Sequence, residues 1–501
     1  MTAKIFSATT VGFSGELIEV ECDASNGLPN VLIVGLGNKA IDEAKERIRS
    51  AIKNSGLEFP KKRITINLAP ANLPKYGAHF DLPMAIALLV VSGQLPQEAL
   101  TNHLFAGELA LDGSLRPIPG AITHAEVAKS HNLPNVIVPA QSAQQASLVQ
   151  GITIIPAKTL REVYAHLNNT QVLQPQETIP THATAQKGSA IDDIQGQEQA
   201  KRALIIAAAG RHNLLLSGPP GAGKTMLARA LMDILPPLSP AETIEVTKLH
   251  SLAGENYASA VTARPFRAPH HSASHIALVG GGSFPRPGQI SLAHRGVLFL
   301  DELPEYNRQA LESLRQPLED KIINIARANE TATFPADFML VATRNPCPCG
   351  YAGDSDHDCT CRPHLVEQYQ KKLSGPLMDR IDMVVEVSKI EPQKLLATPT
   401  TSSQTIIAKK QIAHALTWQQ QRFQNSQQTN SNLKSRDIAQ VTKLEPPAKK
   451  LLEQAANTFK LSARSYFKTI KVARTIADLE SSHTISTQHV SEALQYRARM
   501  V

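Results

Sequence analysis

Eight consecutive residues, Gly218 to Thr225, have the composition and spacing of a phosphate-binding loop. They read Gly-Pro-Pro-Gly-Ala-Gly-Lys-Thr and fit the pattern G-x-x-x-x-G-K-[ST]. An apolar run before the loop predicts a strand, and the run after it, which stops at Pro236-Pro237, predicts a helix. A strand, a glycine loop and a helix start place backbone N–H groups and the positive end of a helix dipole around one point, which favours phosphate binding.

Two side chains of this loop have chemistry of their own. Lys224 can reach the outer phosphates of a nucleoside triphosphate, and the Thr225 hydroxyl can bind Mg²⁺. ATP and Mg²⁺ are therefore the predicted cofactors. The residues expected to contact the nucleotide are Gly218, Pro219, Pro220, Gly221, Ala222, Gly223, Lys224, Thr225 and Met226.

Two apolar runs further along the chain end in polar residues that suit the same site. The segment 296–302 ends in Asp301 and Glu302, so a buried strand would deliver two carboxylates. Asp301 would hold the Mg²⁺ shell and Glu302 would polarise the attacking water. The segment 338–343 is a second buried strand, and Asn345 after it is expected to orient water or phosphate.

Arg380 follows a Gly-Pro turn, and Arg464 lies at the start of a helix that Ser462 is expected to cap. An arginine that reaches a phosphate from a neighbouring subunit or a lid accelerates related reactions by about 10³-fold or more. Spacing alone leaves open whether these two arginines do so or are ordinary surface residues.

Four of the five cysteines cluster in sequence as two C-x-C pairs. Four thiolates can supply a closed tetrahedral site, which indicates structural Zn²⁺ and not a catalytic metal. The usual structural spacing is C-x₂-C, so reduced thiols remain the alternative, and His357 is a possible substitute ligand. The predicted ligands are Cys347, Cys349, Cys359 and Cys361.

Composition limits the class of protein. The chain has 501 residues, 42% of them hydrophobic, which is enough for about three globular domains. It has no apolar run long enough to cross a bilayer and no signal pattern at its start, so we expect a cytoplasmic protein without membrane contact. A net charge of +7 leans toward a polyanionic partner, and only 4% aromatic residues argue against base stacking as the main contact.

Changes in pattern along the chain predict an α/β protein of three parts. Residues 1–168 mix strand and helix patterns, 169–189 read as a polar linker, 190–390 alternate strand and helix, and 391–501 are helical. Within the last part, the Gln-, Ser-, Thr- and Asn-rich segment 404–432 is expected to be exposed and partly flexible.

These motifs together resemble the magnesium-chelatase-like AAA+ ATPases and, more closely, the ComM (YifB) family of bacteria. The segments 265–271, 277–282, 285–294 and 344–350 resemble the family pattern almost letter for letter. The resemblance implies a central P-loop AAA+ parallel sheet with a helical lid, in a ring that is a homo-hexamer. It further implies that Arg380 reaches the nucleotide of the neighbouring subunit and that Arg464 is the sensor in the lid.

The function that the resemblance implies is that of a DNA helicase. Such a ring would use ATP to drive branch migration of recombination intermediates on single-stranded and branched DNA. It would thereby extend heteroduplex during natural transformation and homologous recombination. The alternative is an ATP-dependent chelatase-type assembly factor for metal insertion into a porphyrin, because the P-loop region resembles that subunit too.

The first 168 residues resemble the Lon-protease-like domain, an α+β fold of the S5 domain 2 type. The active form needs a serine and a lysine within hydrogen-bond reach. In this chain His79 falls at the serine position and Ile122 at the lysine position. The domain is therefore expected to be degenerate and to have no peptidase activity.

Two basic insertions are the candidate DNA contacts. One lies between the P-loop helix and the carboxylate strand, and the other, 321–333, is predicted to be a hairpin. In the ring ATPases that the chain resembles, such insertions project into the pore and grip the DNA backbone. The candidates are Arg264, Arg267, His271, Arg286 and Arg327, although each alone could equally be a solvated or structural residue.

Overall fold

The computed structural model of the chain describes residues 2–35, 39–177, 191–255, 258–282, 285–326, 331–354, 357–373, 375–389, 404–425 and 428–498. Two main sheets organise these residues, one near the N-terminus and one around the phosphate-binding loop. The predicted α/β class is confirmed.

The N-terminal part is a seven-stranded mixed sheet with the order β3-β4-β2-β1-β5-β8-β9. Its strands alternate buried and exposed residues where one face meets helices, as the β1 and β4 burial patterns do. Hydrophobic clusters cover both faces of the sheet. The elements are β1 Thr2–Val11, β2 Ser14–Ser25, β3 Asn30–Val34, α1 Lys39–Asn54, β4 Arg63–Ala69, α2 Asp81–Val91, β5 His103–Phe105, β6 Glu108–Leu109, β7 Leu115–Arg116, α3 Ala121–Ser130, β8 Asn135–Pro139, α4 Ala140–Ala146, β9 Thr153–Ala157 and α5 Leu160–Leu167.

The central part is built on a five-stranded sheet in which every neighbouring pair is parallel, with the order β11-β14-β17-β10-β18. The three middle strands are buried and apolar, as a sheet covered on both faces requires. The elements are α6 Glu198–Gly210, β10 Leu214–Ser217, α7 Lys224–Ile234, α8 Pro240–Ala253, β11 Phe266–Arg267, α9 His275–Val279, β12 Gly280–Gly281, β13 Arg286–Pro287, α10 Gln289–Leu292, β14 Val297–Leu300, α11 Arg308–Ser313, α12 Arg315–Asp320, β15 Ile322–Ala326, β16 Thr331–Pro335, β17 Met339–Arg344, α13 Pro363–Lys371, α14 Gly375–Met378 and β18 Met383–Glu386.

The C-terminal part is helical and shares one hydrophobic cluster with α6, α7 and one face of the parallel sheet. Its elements are α15 Gln404–Phe423, α16 Ser435–Val441, α17 Pro446–Thr458, α18 Ala463–Leu479 and α19 Thr487–Gln495. This layer packs over the sheet and does not stand apart from it.

The expectation of an exposed, partly flexible segment at 404–432 holds for only one face of it. Most of it forms α15, a 20-residue helix that packs against α6 and α18. Its buried face includes the polar residue Gln419, whose amide donates to the Ala209 carbonyl at 2.9 Å and accepts from Asn430 N at 3.0 Å. A polar side chain with satisfied hydrogen bonds can be buried at little cost, which composition alone does not reveal.

Candidate nucleotide site and basic insertions

The phosphate-binding loop joins β10 to α7 in a backbone shape that glycine permits. Gly221 and Gly223 have φ of 77° and 84°, in the left-handed region. A Cβ on Gly218 would lie 2.1 Å from the Val387 carbonyl oxygen, so a larger residue there would push β10 away from the segment after β18. Met226 lies in the first turn of α7 and is 37% exposed.

Lys224 is buried, and its ammonium group connects the loop to the next strand. It donates to the Gly218 carbonyl at 2.7 Å, the Pro219 carbonyl at 2.8 Å and Asn345 Oδ1 at 3.0 Å. Burial lowers the pKa of Lys224, while the nearby Asp301 and Glu302 carboxylates oppose that shift. A lysine held in this way is pre-positioned for an incoming phosphate.

The two carboxylates lie at the carboxyl end of β14, beside the end of β17. Thr225 Oγ1 donates to Asp301 Oδ2 at 3.4 Å, so the loop threonine and this carboxylate face the same point. Glu302 has φ of 51°, and Asn345 Nδ2 lies 3.5 Å from its Oε1. The structure therefore brings together the loop, both carboxylates and Asn345.

Thr343 is a site residue that the sequence reasoning missed. Its hydroxyl donates to Asp301 Oδ1 at 2.5 Å and accepts from the Glu302 backbone N–H at 2.9 Å. It thereby fixes the side chain of one acid and the backbone of the other. The available signal was a hydroxyl that directly follows four apolar residues of β17.

Arg380 and Arg464 lie together, but the carboxylate that they contact is neither Asp301 nor Glu302. Both pair with Glu319 at the end of α12: Arg380 contacts Oε2, and Arg464 Nη2 lies 3.3 Å from Oε1. Arg380 also donates to the carbonyls of Arg315 and Pro376. Within the described ranges neither arginine forms an ion pair with Asp301 or Glu302. One protomer alone therefore does not bring the predicted arginines to its own nucleotide site.

The four clustered cysteines converge on one point after β17. Their sulfur atoms all lie within 4.8 Å of one another, and the distances of Cys347 Sγ to Cys349 Sγ and Cys359 Sγ are 3.3 and 3.7 Å. Tetrahedral zinc with Zn–S bonds of about 2.3 Å has sulfur–sulfur edges of roughly 3.8 Å, so the donor set fits one metal ion.

The cysteine loop touches the phosphate-binding loop. Gly350 has φ of 89°, and a Cβ there would lie 2.6 Å from Pro220 Cδ. On the other side, Lys389 pairs with Asp354 at 2.7 Å and lies over the Tyr351 ring. The cysteine loop thus contacts the phosphate-binding loop on one side and the segment that follows β18 on the other.

The structure corrects one candidate DNA contact, Arg264. Its side chain is 11% exposed and its guanidinium donates to Glu242 and to the carbonyls of Pro236, Pro237 and Arg295. These acceptors occupy its donors, so Arg264 is a structural residue that ties α8 to the start of β14.

The other candidate DNA contacts differ in how free their side chains are to reach a phosphate. Arg267 pairs with Glu255 and contacts His250, whereas the His271 ring lies tilted against His270 and edge-on to Tyr306. Arg286 is exposed on the short strand β13. Arg327 lies outside the described residues, between the paired strands β15 and β16 of the predicted hairpin.

Comparisons with known proteins agree along nearly the whole chain. Residues 190–395 match the family described as magnesium chelatase, subunit ChlI, and residues 400–497 match its C-terminal family. The competence protein ComM of Haemophilus influenzae is 43% identical over 508 residues, covering 99% of this chain and 97% of ComM. The YifB protein of Escherichia coli is 43% identical over 497 residues, covering 99% and 96% of the two chains. The chain belongs to the YifB and ComM family.

The YifB and ComM family is thus a magnesium-chelatase-like AAA+ family, which implies ATPase activity with ATP and Mg²⁺. The similarity to a chelatase itself is smaller: a magnesium-chelatase 67 kDa subunit of Chlorobaculum parvum is 29% identical over 161 residues, 31% of this chain and 23% of that one. Over the residues that the structure describes, no helix has the length and apolar character that a bilayer crossing requires.

In this YifB and ComM family member, residues 20–142 match a family described as subunit ChlI of Mg-chelatase, so the Lon-protease-like assignment stays a prediction. His79 is buried, its Nε2 donates to the Ala8 carbonyl at 3.0 Å, and Ile122 is fully buried. Burial lowers the pKa of His79 to about 3, with His124 adding to the effect. His79 lines a cavity of about 260 Å³ shared with Leu252 and Arg286 of the central part.

Proposed function

We propose that this protein is a ring-shaped, ATP-driven DNA helicase that promotes branch migration of recombination intermediates. The observation that carries the proposal is the continuous hydrogen-bonded path from Lys224 through Asn345 to Glu302. It supports a site that couples phosphate contact to activation of water. The full-length similarity to a competence protein supports a role in natural transformation and recombination.

The proposed roles follow from the geometry. Lys224 binds the outer phosphates, and Glu302 polarises the attacking water that Asn345 helps to orient. Thr225 and Asp301 hold Mg²⁺, which neutralises charge on the phosphates when bound. Thr343 keeps Asp301 and Glu302 in register with each other.

We further propose that protomers form a homo-hexamer in which Arg380 completes the nucleotide site of the neighbour. Arg380 and Arg464 both contact Glu319, so they lie on one face of the protomer. Arg464 would act as the lid sensor at the same seam. An arginine supplied across a subunit seam ties hydrolysis to assembly.

DNA contact is proposed for the basic insertions. Arg286 is exposed and Arg267 and His271 belong to the same insertion, while Arg327 between β15 and β16 stays a sequence-based proposal. Such residues bind backbone phosphates, so affinity should fall steeply with salt. We also propose that the N-terminal part has no peptidase activity, because His79 and Ile122 supply no serine nucleophile or lysine base.

The cysteine cluster is proposed to hold one structural Zn²⁺ ion. Four sulfurs at these separations leave no position for a substrate, which excludes a catalytic role for this ion. Bound zinc would make the loop rigid. Because Gly350 packs against Pro220, rigidity there would steady the phosphate-binding loop.

The test of the proposal is strand exchange on three-stranded and four-way DNA junctions with the full chain, with and without ATP. ATP-dependent movement of the branch point is expected, and the Lys224→Ala protein should show none. ATP turnover without any branch movement would contradict the proposal. It would favour the second candidate function, a chelatase-type assembly factor, which the similarity to magnesium chelatase subunits supports.

A further inference from the structure

The hairpin β15–β16 is supported by the N-terminal part of the chain. Its two strands pair only with each other among the described strands. A two-stranded hairpin is marginally stable by itself in water. If the hairpin contacts DNA, as proposed above, it needs a partner that fixes its direction.

That partner is the turn between β1 and β2. The Phe13 backbone N–H donates to the Thr333 carbonyl of β16 at 3.2 Å. The neighbouring Gly12 has φ of 59°, and a Cβ there would lie 3.0 Å from both Thr333 N and Thr333 O. The turn therefore approaches the hairpin backbone as closely as glycine allows.

The Phe13 side chain joins the hydrophobic core beneath the hairpin. It packs against the cluster that contains Ile323, Ile325 and Phe334, the inward-facing residues of β15 and β16. Above the Phe13 ring lies the Lys248 ammonium, 4.4 Å from the ring centroid. Lys248 is buried and also pairs with Glu126 of α3, so the contact is fixed from both parts of the chain.

Two further hydrogen bonds hold the same interface. The Gly120 N–H donates to Ser251 Oγ at 2.9 Å, and Gln145 Nε2 donates to the Ser259 carbonyl at 3.0 Å. Both bonds join the N-terminal part to the insertion around α8. The N-terminal part therefore contacts both insertions proposed to bind DNA, and not only the body of the ATPase part.

We propose that Phe13 is a positioning residue: the β1–β2 turn holds the β15–β16 hairpin in the orientation that grips DNA. This inference rests on the proposed function and adds a role for the N-terminal part. Phe13 has no contact with Lys224, Asp301 or Glu302 among the described contacts, so it acts on DNA coupling and not on hydrolysis itself.

The experiment compares Phe13→Ala with Phe6→Ala in the full chain. Phe6 is a matched control: it lies on the same strand pair, with the Lys4 ammonium 5.5 Å from its ring, but it packs within the N-terminal part. In Phe13→Ala, amide hydrogen exchange of residues 331–334 should become at least about tenfold faster, as expected for truncating a packed aromatic. Stimulation of ATP turnover by DNA should be lost, whereas turnover without DNA stays at the wild-type level. Phe6→Ala should behave as wild type in both measurements.

Unchanged exchange in the hairpin, or full DNA stimulation in Phe13→Ala, would overturn the inference. If Phe13→Ala does not fold, Gly12→Ala provides the second variant, because its Cβ pushes on Thr333 while Phe13 stays in place. It should give the same faster exchange, and normal exchange there would also overturn the inference. Failure of wild-type protein to respond to DNA would instead contradict the proposed function, while the exchange comparison would still test the support of the hairpin.

Discussion

Glu302 is held in a left-handed backbone conformation by the hydrogen bond from its N–H to Thr343. Non-glycine residues in this region store strain that the surroundings must offset, and such positions cluster at functional sites. This conformation places the carboxylate at the end of β14, where Asn345 also contacts it. This arrangement leads to a direct prediction for hydrolysis.

The Glu302→Gln protein should bind ATP but hydrolyse it at least about a hundredfold more slowly, because a general base contributes roughly 10²–10⁴-fold. Phosphate release and binding of a fluorescent ATP analogue measure the two effects separately. Glu305→Gln is the matched control, since that carboxylate lies three residues on and pairs with Lys372 at the surface. Normal turnover in Glu302→Gln would remove the role assigned to Glu302.

His79 predicts how the N-terminal part responds to acid. Its folded pKa of about 3 lies below the ordinary 6.5, so between these values the unfolded chain binds a proton that the folded chain does not. Stability should therefore fall as the pH drops below about 6.5 and continue to fall toward pH 3.

Thermal unfolding of wild type and His79→Gln at pH 7 and pH 5 tests this expectation. Glutamine can still donate to the Ala8 carbonyl but does not titrate. The midpoint of the variant should decrease less between the two pH values than that of wild type. An equal decrease would show that other groups, such as His103 with its pKa lowered to about 4 by burial, dominate the response.

At the scale of elements, local signals were sufficient around the phosphate-binding loop. The apolar run, glycines and helix start predicted β10 and α7 within one or two residues. Helix α15 lies in the part that was predicted to be helical, but its packing was not predicted, because Gln419 is a buried polar residue in a Gln-rich segment. Its acceptor, the Ala209 carbonyl, lies far away in sequence, and no local pattern encodes such a contact.

The same limit applies to the site itself. Lys224, Asp301, Glu302 and Asn345 were predicted because each follows a recognisable strand or loop, and the structure brings them together. Thr343 and Glu319 were not, because their roles depend on which strand or helix packs beside them. Arg264 was misassigned because charge in a glycine-rich insertion indicates exposure unless the buried acceptors are known.

The cysteine loop gives a prediction about metal content. Purified protein should contain about one zinc per chain, and Cys359→Ser combined with Cys361→Ser should reduce zinc to near zero. Nucleotide affinity should weaken in the same variant, because the loop packs on Pro220.

Cys22→Ala is the control for that measurement. This fifth cysteine is buried in the N-terminal sheet and is not part of the cluster of Cys347, Cys349, Cys359 and Cys361, and burial raises its pKa to about 12. Zinc content should be unchanged. Absence of zinc from wild-type protein prepared under reducing conditions would favour free thiols.

At the scale of the whole molecule, the proposed ring can be tested by mixing two inactive variants. Lys224→Ala lacks the phosphate-binding cation but keeps Arg380, and Arg380→Ala has the opposite defect. If Arg380 completes the nucleotide site of the neighbouring protomer, some subunit interfaces in mixed rings have an intact phosphate-binding loop on one side and an intact Arg380 on the other. ATP turnover should recover in part on mixing.

Phosphate release across a range of mixing ratios measures the recovery, with sedimentation in the presence of ATPγS and an oligonucleotide to follow assembly. If mixed assemblies form but ATP turnover stays at the level of either variant alone, Arg380 acts at the nucleotide site of its own protomer. Monomers under these conditions would contradict the ring.

Glu319 has one oxygen on Arg380 and the other on Arg464, so this carboxylate links the parallel-sheet body to the helical layer. Any outward movement of that layer would separate Arg464 from Glu319 and leave the Arg380 contact in place. If the lid contact were lost, the arginine proposed to reach the neighbouring subunit would still be held by Glu319 of its own protomer.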